Sequence, residues 1–202
     1  HLDFRRQRQM CIRDRLHQLC RHWLSFNLDD YVGLSAGDPS GYSAYMQKHL
    51  GQPLGLGPQQ LRLPQPDAVD PEAAAQAYQQ SLAATGGVGL QLLGLGSNGH
   101  VGFNEPPCGP LMACRVVQLS AATRQQNAGL FGGDPQRVPE AAITLGLKEI
   151  LAAEEIHLVV TGSSKAAILK KLLDDEPSEQ LPASWLRQHP RVWLWVDRAA
   201  MG

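Results

Sequence analysis

Leu90-Gln91-Leu92-Leu93-Gly94-Leu95-Gly96-Ser97-Asn98-Gly99-His100-Val101-Gly102-Phe103-Asn104-Glu105-Pro106 joins a short apolar run to a loop dense in glycine. Leu90 to Leu95 reads as a buried strand: the run is too short for a helix and ends at glycines. Glycines at that density let the backbone turn sharply and approach a ligand closely. His100 is a proton carrier near neutral pH, and Glu105 is a carboxylate that can orient it. The stretch is therefore a strand that delivers a candidate active-site loop at its carboxyl end.

The same alternation extends outward. Asp38-Pro39 reads as a cap with proline in the first turn, opening a helix that carries Tyr42, Tyr45, Met46 and Leu50. A proline- and glycine-rich connector, residues 51 to 66, follows. Asp70-Pro71 repeats the signature ahead of an alanine-rich helix that ends near Gly86-Gly87. Ile156 to Thr161 reads as a second buried strand, Ser163 to Leu173 as a helix, and Val192 to Val196 as a third strand after Pro190. Strands separated by helices need crossover connections, which argues an α/β fold with a mainly parallel sheet and helices on both faces. Ligands of such sheets bind beyond the carboxyl ends of the strands, here after Leu93 and Val160.

Composition narrows the function. With 202 residues, 43% of them apolar and 18% charged, one domain is the expectation. A net charge of -1 gives no basic excess for nucleic acid or an anionic membrane surface, and no apolar run approaches the roughly 20 residues of a bilayer span. A small molecule in the cytoplasm is the expected context. Cys11, Cys20, Cys108 and Cys114 form no C-x-x-C pair and read as reduced thiols, with no metal site. The chain opens on His1, and residues 1 to 25 are rich in Arg, Gln and His without periodicity. They include Met10-Cys11-Ile12-Arg13-Asp14-Arg15, which reads as translated sequencing adapter, so the expected division is a non-native segment 1–25 and a single domain 26–202.

Gly94, Gly96 and Gly99 spell a literal G-x-G-x-x-G, but no dinucleotide site is expected: Gly102 and Pro106-Pro107 deny the helix start on which a pyrophosphate would sit. Asp29 and Asp30, between apolar residues, are ordinary turn acids unless Asp29 faces the glycine loop, where a partly desolvated carboxylate can act as a base toward a carbon acid. Gly162-Ser163-Ser164-Lys165 brings backbone N–H groups and an ammonium together as an anion site, or is merely a serine cap beside an exposed lysine.

Two segments carry a resemblance. Asn27-Leu28-Asp29-Asp30-Tyr31-Val32-Gly33-Leu34 is similar to the N-[LM]-D-E-Y-V-G-L segment of the glucosamine-6-phosphate deaminases (isomerases), and Asn98 to Pro106 resembles their [DN]-G-H-I-[AG]-F-N-E-P segment. Gly162 to Lys165 falls where that family has G-x-x-K. The related 6-phosphogluconolactonases share the fold but lack the F-N-E-P continuation. The resemblance covers residues 26 to 202 and implies a modified Rossmann-like fold and conversion of glucosamine 6-phosphate to fructose 6-phosphate with release of ammonia. By resemblance, Asp29 moves the proton between C2 and C1, and His100 assists ring opening with Asn98 and Glu105 orienting and tuning it. Lys165 holds the phosphate and Gly94 lines the sugar site. No metal or organic cofactor is implied, and a homo-oligomer is compatible with the family. A lactonase-like sugar-phosphate hydrolase and a non-catalytic sugar-phosphate sensor are the competing readings.

The chain also departs from that family. Nothing in residues 1 to 25 matches its early G-x-P-T-G-[GS]-T-P phosphate loop, so the first strand and helix are expected to be missing and a sheet edge exposed. Gly129 stands where several members have a phosphate-contacting arginine. Arg115 matches an arginine of an allosteric site in hexameric members, whose lysine is replaced by Val117, so allosteric control is not expected. The chain as given is expected to be weakly active or inactive.

Overall fold

The structure, a computed structural model, describes residues 20–35 and 37–202. In chain order the elements are β1 (Ser25–Phe26), β2 (Asp29–Tyr31), α1 (Tyr42–Met46), a π-helical segment (Gln47–Gly51), α2 (Gln52–Leu54), β3 (Leu61–Arg62), α3 (Pro71–Ala84) and β4 (Leu90–Gly94). They continue with β5 (Arg115–Gln118), α4 (Ala121–Asn127), β6 (Ala141–Thr144), α5 (Leu147–Leu151), β7 (Glu155–Val160), α6 (Ala166–Asp174), β8 (Val192–Val196) and α7 (Arg198–Met201), with short 3-10 turns between. This is an α/β fold in which β4, β7 and β8 form a parallel sheet with β7 at its centre, and β1 pairs in parallel with β3. The segment 1–25, expected to be non-native, lies mostly outside the described residues, and so does any account of the first strand and helix.

One arrangement was not read from the sequence. β2, β6 and β5 form a second sheet, antiparallel throughout, with β6 in the middle. Its strands are only three or four residues long, too short for alternation to stand out from the surrounding loops.

The inner face of the parallel sheet places Leu93, Ile156, Leu158 and Val160 against Leu147 and Ile150 of α5 and Leu169 and Leu172 of α6, all buried. The other face carries Leu90, Leu92, Val159, Trp193 and Trp195, which are exposed among the described residues. A broad apolar groove of about 980 Å³, lined by Trp23, Phe26, Met46, Leu50, Leu90 and Leu92 among others, runs alongside that face.

Local rules explain α3. Asp70 accepts a hydrogen bond from the Ala73 N–H at 3.0 Å, Pro71 occupies the first turn, and Glu72 complements the helix dipole. Ala75, Tyr78 and Leu82 then fall on one face and pack with Cys114, Ile143 and Leu145. The analogous expectation at Asp38-Pro39 is corrected: the helix starts at Tyr42 with Gly41 as its cap residue, and Asp38 instead accepts the Ser40 N–H in a preceding turn. The buried Asp30 carboxylate, twelve residues earlier, accepts the Tyr42 N–H at 3.4 Å and so takes part in fixing that start. After β7 the chain makes a 3-10 turn over Ser163–Lys165 before α6 begins at Ala166, three residues later than the sequence suggested.

Replacing Asp70 with Ala should remove the α3 cap and cost about 1 kcal/mol. In urea denaturation this appears as a lower midpoint with an unchanged slope; an unchanged midpoint would show that the cap contributes nothing.

Candidate functional site

The loop after β4 folds back on itself by backbone hydrogen bonds. The Gly96 N–H donates to the His100 carbonyl at 2.9 Å, and the Gly99 N–H donates to the Gly96 carbonyl at 3.1 Å. Gly99 has φ +82°, a region L side chains rarely enter. At Gly96 the constraint is proximity: a Cβ there would lie 2.3 Å from the His100 ring. The imidazole is packed onto bare backbone, so its position depends on the missing side chain.

Asn98 orients that ring. Its Oδ1 lies 2.6 Å from His100 Nδ1 and accepts from the His100 backbone N–H at 3.3 Å. A carbonyl oxygen accepts only, so Nδ1 carries the proton and Nε2 keeps a lone pair. Burial holds the His100 pKa below its ordinary value; the Glu105 charge opposes this and the Lys165 charge adds to it. At neutral pH the ring is an unprotonated base with a fixed tautomer.

Glu105 does not hydrogen-bond the ring, which corrects the expectation of a directly paired histidine and glutamate. Its Oε1 instead accepts from the hydroxyls of Ser120, at 3.1 Å, and Thr123. Both sit at the start of α4, where Ser120 is the cap residue, so the carboxylate also meets the positive end of the helix dipole. Gln126, one turn on, donates to the Ser97 hydroxyl at 2.7 Å. The loop is thus held to α4 at two points.

Asn104 is fully buried and fully used. Its Nδ2 donates to the carbonyls of Val101 and Leu145, at 3.0 and 2.8 Å, and its Oδ1 accepts from Arg115 Nη1 at 2.9 Å. Arg115 also donates to the Ala113 carbonyl, so the arginine matched to an allosteric site is turned inward to brace the loop.

Asp29 reaches this loop through β6. In the ladder Asp29 stands opposite Thr144, and the Thr144 hydroxyl accepts the Phe103 N–H at 3.3 Å. The Leu145 N–H donates to the Leu28 carbonyl at 2.8 Å, and a Cβ on Gly102 would come within 2.9 Å of the Leu28 side chain. Burial, with the Asp30 charge adding to it, pushes the Asp29 carboxyl up to about 7. Burial likewise pushes Asp30 up to about 6 against the hydrogen bonds it accepts from Tyr31, Tyr42 and Ser43, while its Oδ2 has no partner. A carboxylate that holds its proton until about pH 7 is a stronger base than an exposed aspartate.

Lys165 ends the 3-10 turn that follows β7 and lies near enough to act on His100 electrostatically. The expected anion nest is only partly free: the Gly162 N–H donates to both carboxylate oxygens of Asp197, at 3.1 and 3.0 Å. Gly94 ends β4 on the uncovered face, with nothing within 4 Å of a Cβ built there. None of Asp29, Gly94, Asn98, His100, Glu105 and Lys165 lines the large apolar groove. Among the described residues no group of three or more His, Cys, Asp or Glu side chains gathers as a metal site, and no helix is long and apolar enough to cross a membrane.

Sequence reasoning missed Ser120, Thr123, Asn104 as a brace, Thr144 and Asp197. Ser120 and Asp197 carry a local signal, each as a cap residue ahead of a short helix.

A profile of the family described as glucosamine-6-phosphate isomerases/6-phosphogluconolactonase matches residues 34–195. Glucosamine-6-phosphate deaminase 2 of Bacillus subtilis is 40% identical over 177 residues, spanning 87% of this chain and 71% of that protein. A glucosamine-6-phosphate deaminase of Rhodopirellula baltica is 42% identical over 176 residues, spanning 87% and 70%. Among solved structures, a monomeric glucosamine-6-phosphate deaminase superposes with a TM-score of 0.87 at 39% identity, covering 93% of this chain and 79% of that one. The 6-phosphogluconolactonase of Trypanosoma cruzi shares the fold, with a TM-score of 0.71 at 20% identity over 92% of this chain and 74% of that one. With the loop, the strand pairing and the profile in agreement, the chain belongs to the glucosamine-6-phosphate isomerase/6-phosphogluconolactonase family.

Proposed function

We propose that this protein is a glucosamine-6-phosphate deaminase, converting glucosamine 6-phosphate and water to fructose 6-phosphate and ammonia. The observation that carries the reading is the junction at Thr144, which joins the strand of a half-buried, basic Asp29 to the loop of a His100 whose tautomer is fixed by Asn98. The relatives named above support the substrate.

In this reading the lone pair on His100 Nε2 takes the proton of the anomeric hydroxyl and delivers a proton to the ring oxygen, which opens the pyranose. Asp29 then removes the proton from C2 and returns it to C1, while a proton passes from the C2 amino group to O1, so that C1 becomes a hydroxymethyl group and C2 an imine. Water adds to that carbon and ammonia leaves. Lys165 neutralises the phosphate, and Glu105 offsets its effect on the histidine. A similar solved structure is described as a monomeric glucosamine-6-phosphate deaminase, which supports turnover without a homo-oligomer. A phosphorylated sugar does not cross a membrane unaided, which supports a cytoplasmic reaction, where such substrates are made and retained.

Phosphate binding is the weak part of the proposed site. Gly129 offers no side chain where several members have an arginine, and Asp197 already takes the Gly162 N–H. We therefore expect the chain as given to have a high KM. Nothing lies within 4 Å of a Cβ built on Gly129, so a side chain can start there without a clash. Gly129→Arg should lower KM about tenfold or more, since a charge-assisted hydrogen bond contributes roughly 1.5–3 kcal/mol. An unchanged KM would show that position 129 does not face the phosphate.

Asp29→Asn should lower kcat by about 10²–10⁴-fold with sugar-phosphate binding retained. Equal loss of binding would make Asp29 structural. In the wild type, kcat/KM should rise with pH through an ionisation near 7, where Asp29 loses its proton. Stability should run the other way. The folded Asp29 pKa lies above its unfolded value of 3.8, so the native state binds the extra proton and is favoured at low pH, and this advantage is lost as pH rises from about 4 through about 7. Asp29→Asn should therefore flatten the fall in thermal stability between pH 5 and pH 8 as ordinary buffers report it; an equally steep fall would contradict the assignment of that proton to Asp29.

A further inference from the structure

The two hydroxyls that hold Glu105 have no role in the chemistry above. From the hydrogen bonds of Thr123 and Ser120 to Glu105, we infer that they are positioning residues, fixing its carboxylate on α4 and away from the His100 ring. This rests on the reading of His100 and Glu105 as parts of the working site.

The geometry is one-sided. Both hydrogen bonds of Glu105 go to Oε1, and both donors come from one turn of α4. Thr123 is buried, so its hydroxyl has little water to turn to, and its backbone N–H is already committed to the Ser120 oxygen at 3.2 Å. The same helix holds the opposite arm of the loop through Gln126 and Ser97. Between those anchors the histidine keeps Asn98 as its ring partner. The charged groups that act on the ring are Glu105, across the loop, and Lys165, from the turn after β7. A carboxylate swung onto the ring would favour the imidazolium and remove the free base that ring opening requires. Tethering Glu105 to α4 keeps its charge close enough to offset Lys165 without letting it capture the proton.

Ser120 also caps α4, so its removal mixes two effects. Thr123 separates them. Thr123→Val keeps the shape and loses the hydroxyl, whereas Thr123→Ser keeps the hydroxyl and loses the methyl. In the full chain, the His100 midpoint followed by NMR titration should rise by about half a unit to one unit in Thr123→Val, as an approaching carboxylate requires. With glucosamine 6-phosphate as substrate, kcat should fall about tenfold while KM stays within about twofold, the pattern of a misplaced group that acts in the transition state. Thr123→Ser should match the wild type in both. A His100 midpoint that does not move in Thr123→Val, or a Thr123→Ser variant as impaired as Thr123→Val, would overturn the inference. If the wild type forms no product, the deaminase reading fails, and the titration still decides whether Thr123 holds Glu105 off the ring.

Discussion

Thr144 lies at the point through which the site is assembled. It ends β6, and in the antiparallel ladder it faces Asp29 on one side and Arg115 on the other. Its hydroxyl accepts the Phe103 N–H, which ties the loop after β4 to the same strand. The loop hangs from the carboxyl end of a different sheet, so without this junction the acid and the histidine would sit on separate layers. Asn104 reinforces it from within, spending its polar atoms on Val101, Leu145 and Arg115. Buried polar groups that are fully satisfied in this way fix one arrangement; left half-satisfied they would cost roughly 1–3 kcal/mol each.

The fold holds two carboxyls where they are poorly solvated. Asp30 is almost wholly buried, with one oxygen unpartnered, and Asp29 beside it is pushed up to about 7. Neither helps the native state at neutral pH. The neighbouring Tyr31 ring packs with Tyr42, Phe103 and Phe131, so the apolar wall that desolvates the acids is itself part of the core. Stability is given up at the place where the proposed chemistry needs a strong base, a common relation between stability and activity.

What was legible in the sequence was local. Asp70-Pro71 announced α3 because cap, proline and helix are neighbours, and Leu90 to Gly94 announced β4 because an apolar run stops at glycine. Asn98 and His100 are two residues apart, and their hydrogen bond could be expected from the motif. The failures were non-local. The start of α1 involves Asp30 from twelve residues away, which no local cap rule contains. Glu105 finds its partners fifteen and eighteen residues along the chain, not on the nearby histidine. The antiparallel sheet rests on pairings among three very short strands spread from residue 29 to residue 144, and such register is set by tertiary packing. The free N–H expected at Gly162 is taken by Asp197, thirty-five residues further on.

The central claim is that the Asp29–Thr144–His100 junction performs an isomerisation that ends in deamination. Incubating the purified chain with glucosamine 6-phosphate and measuring ammonia and fructose 6-phosphate in the same tube tests it most directly. The account predicts that both appear, in equal amounts. Fructose 6-phosphate and ammonia both absent at saturating substrate, or ammonia without the ketose phosphate, would contradict it.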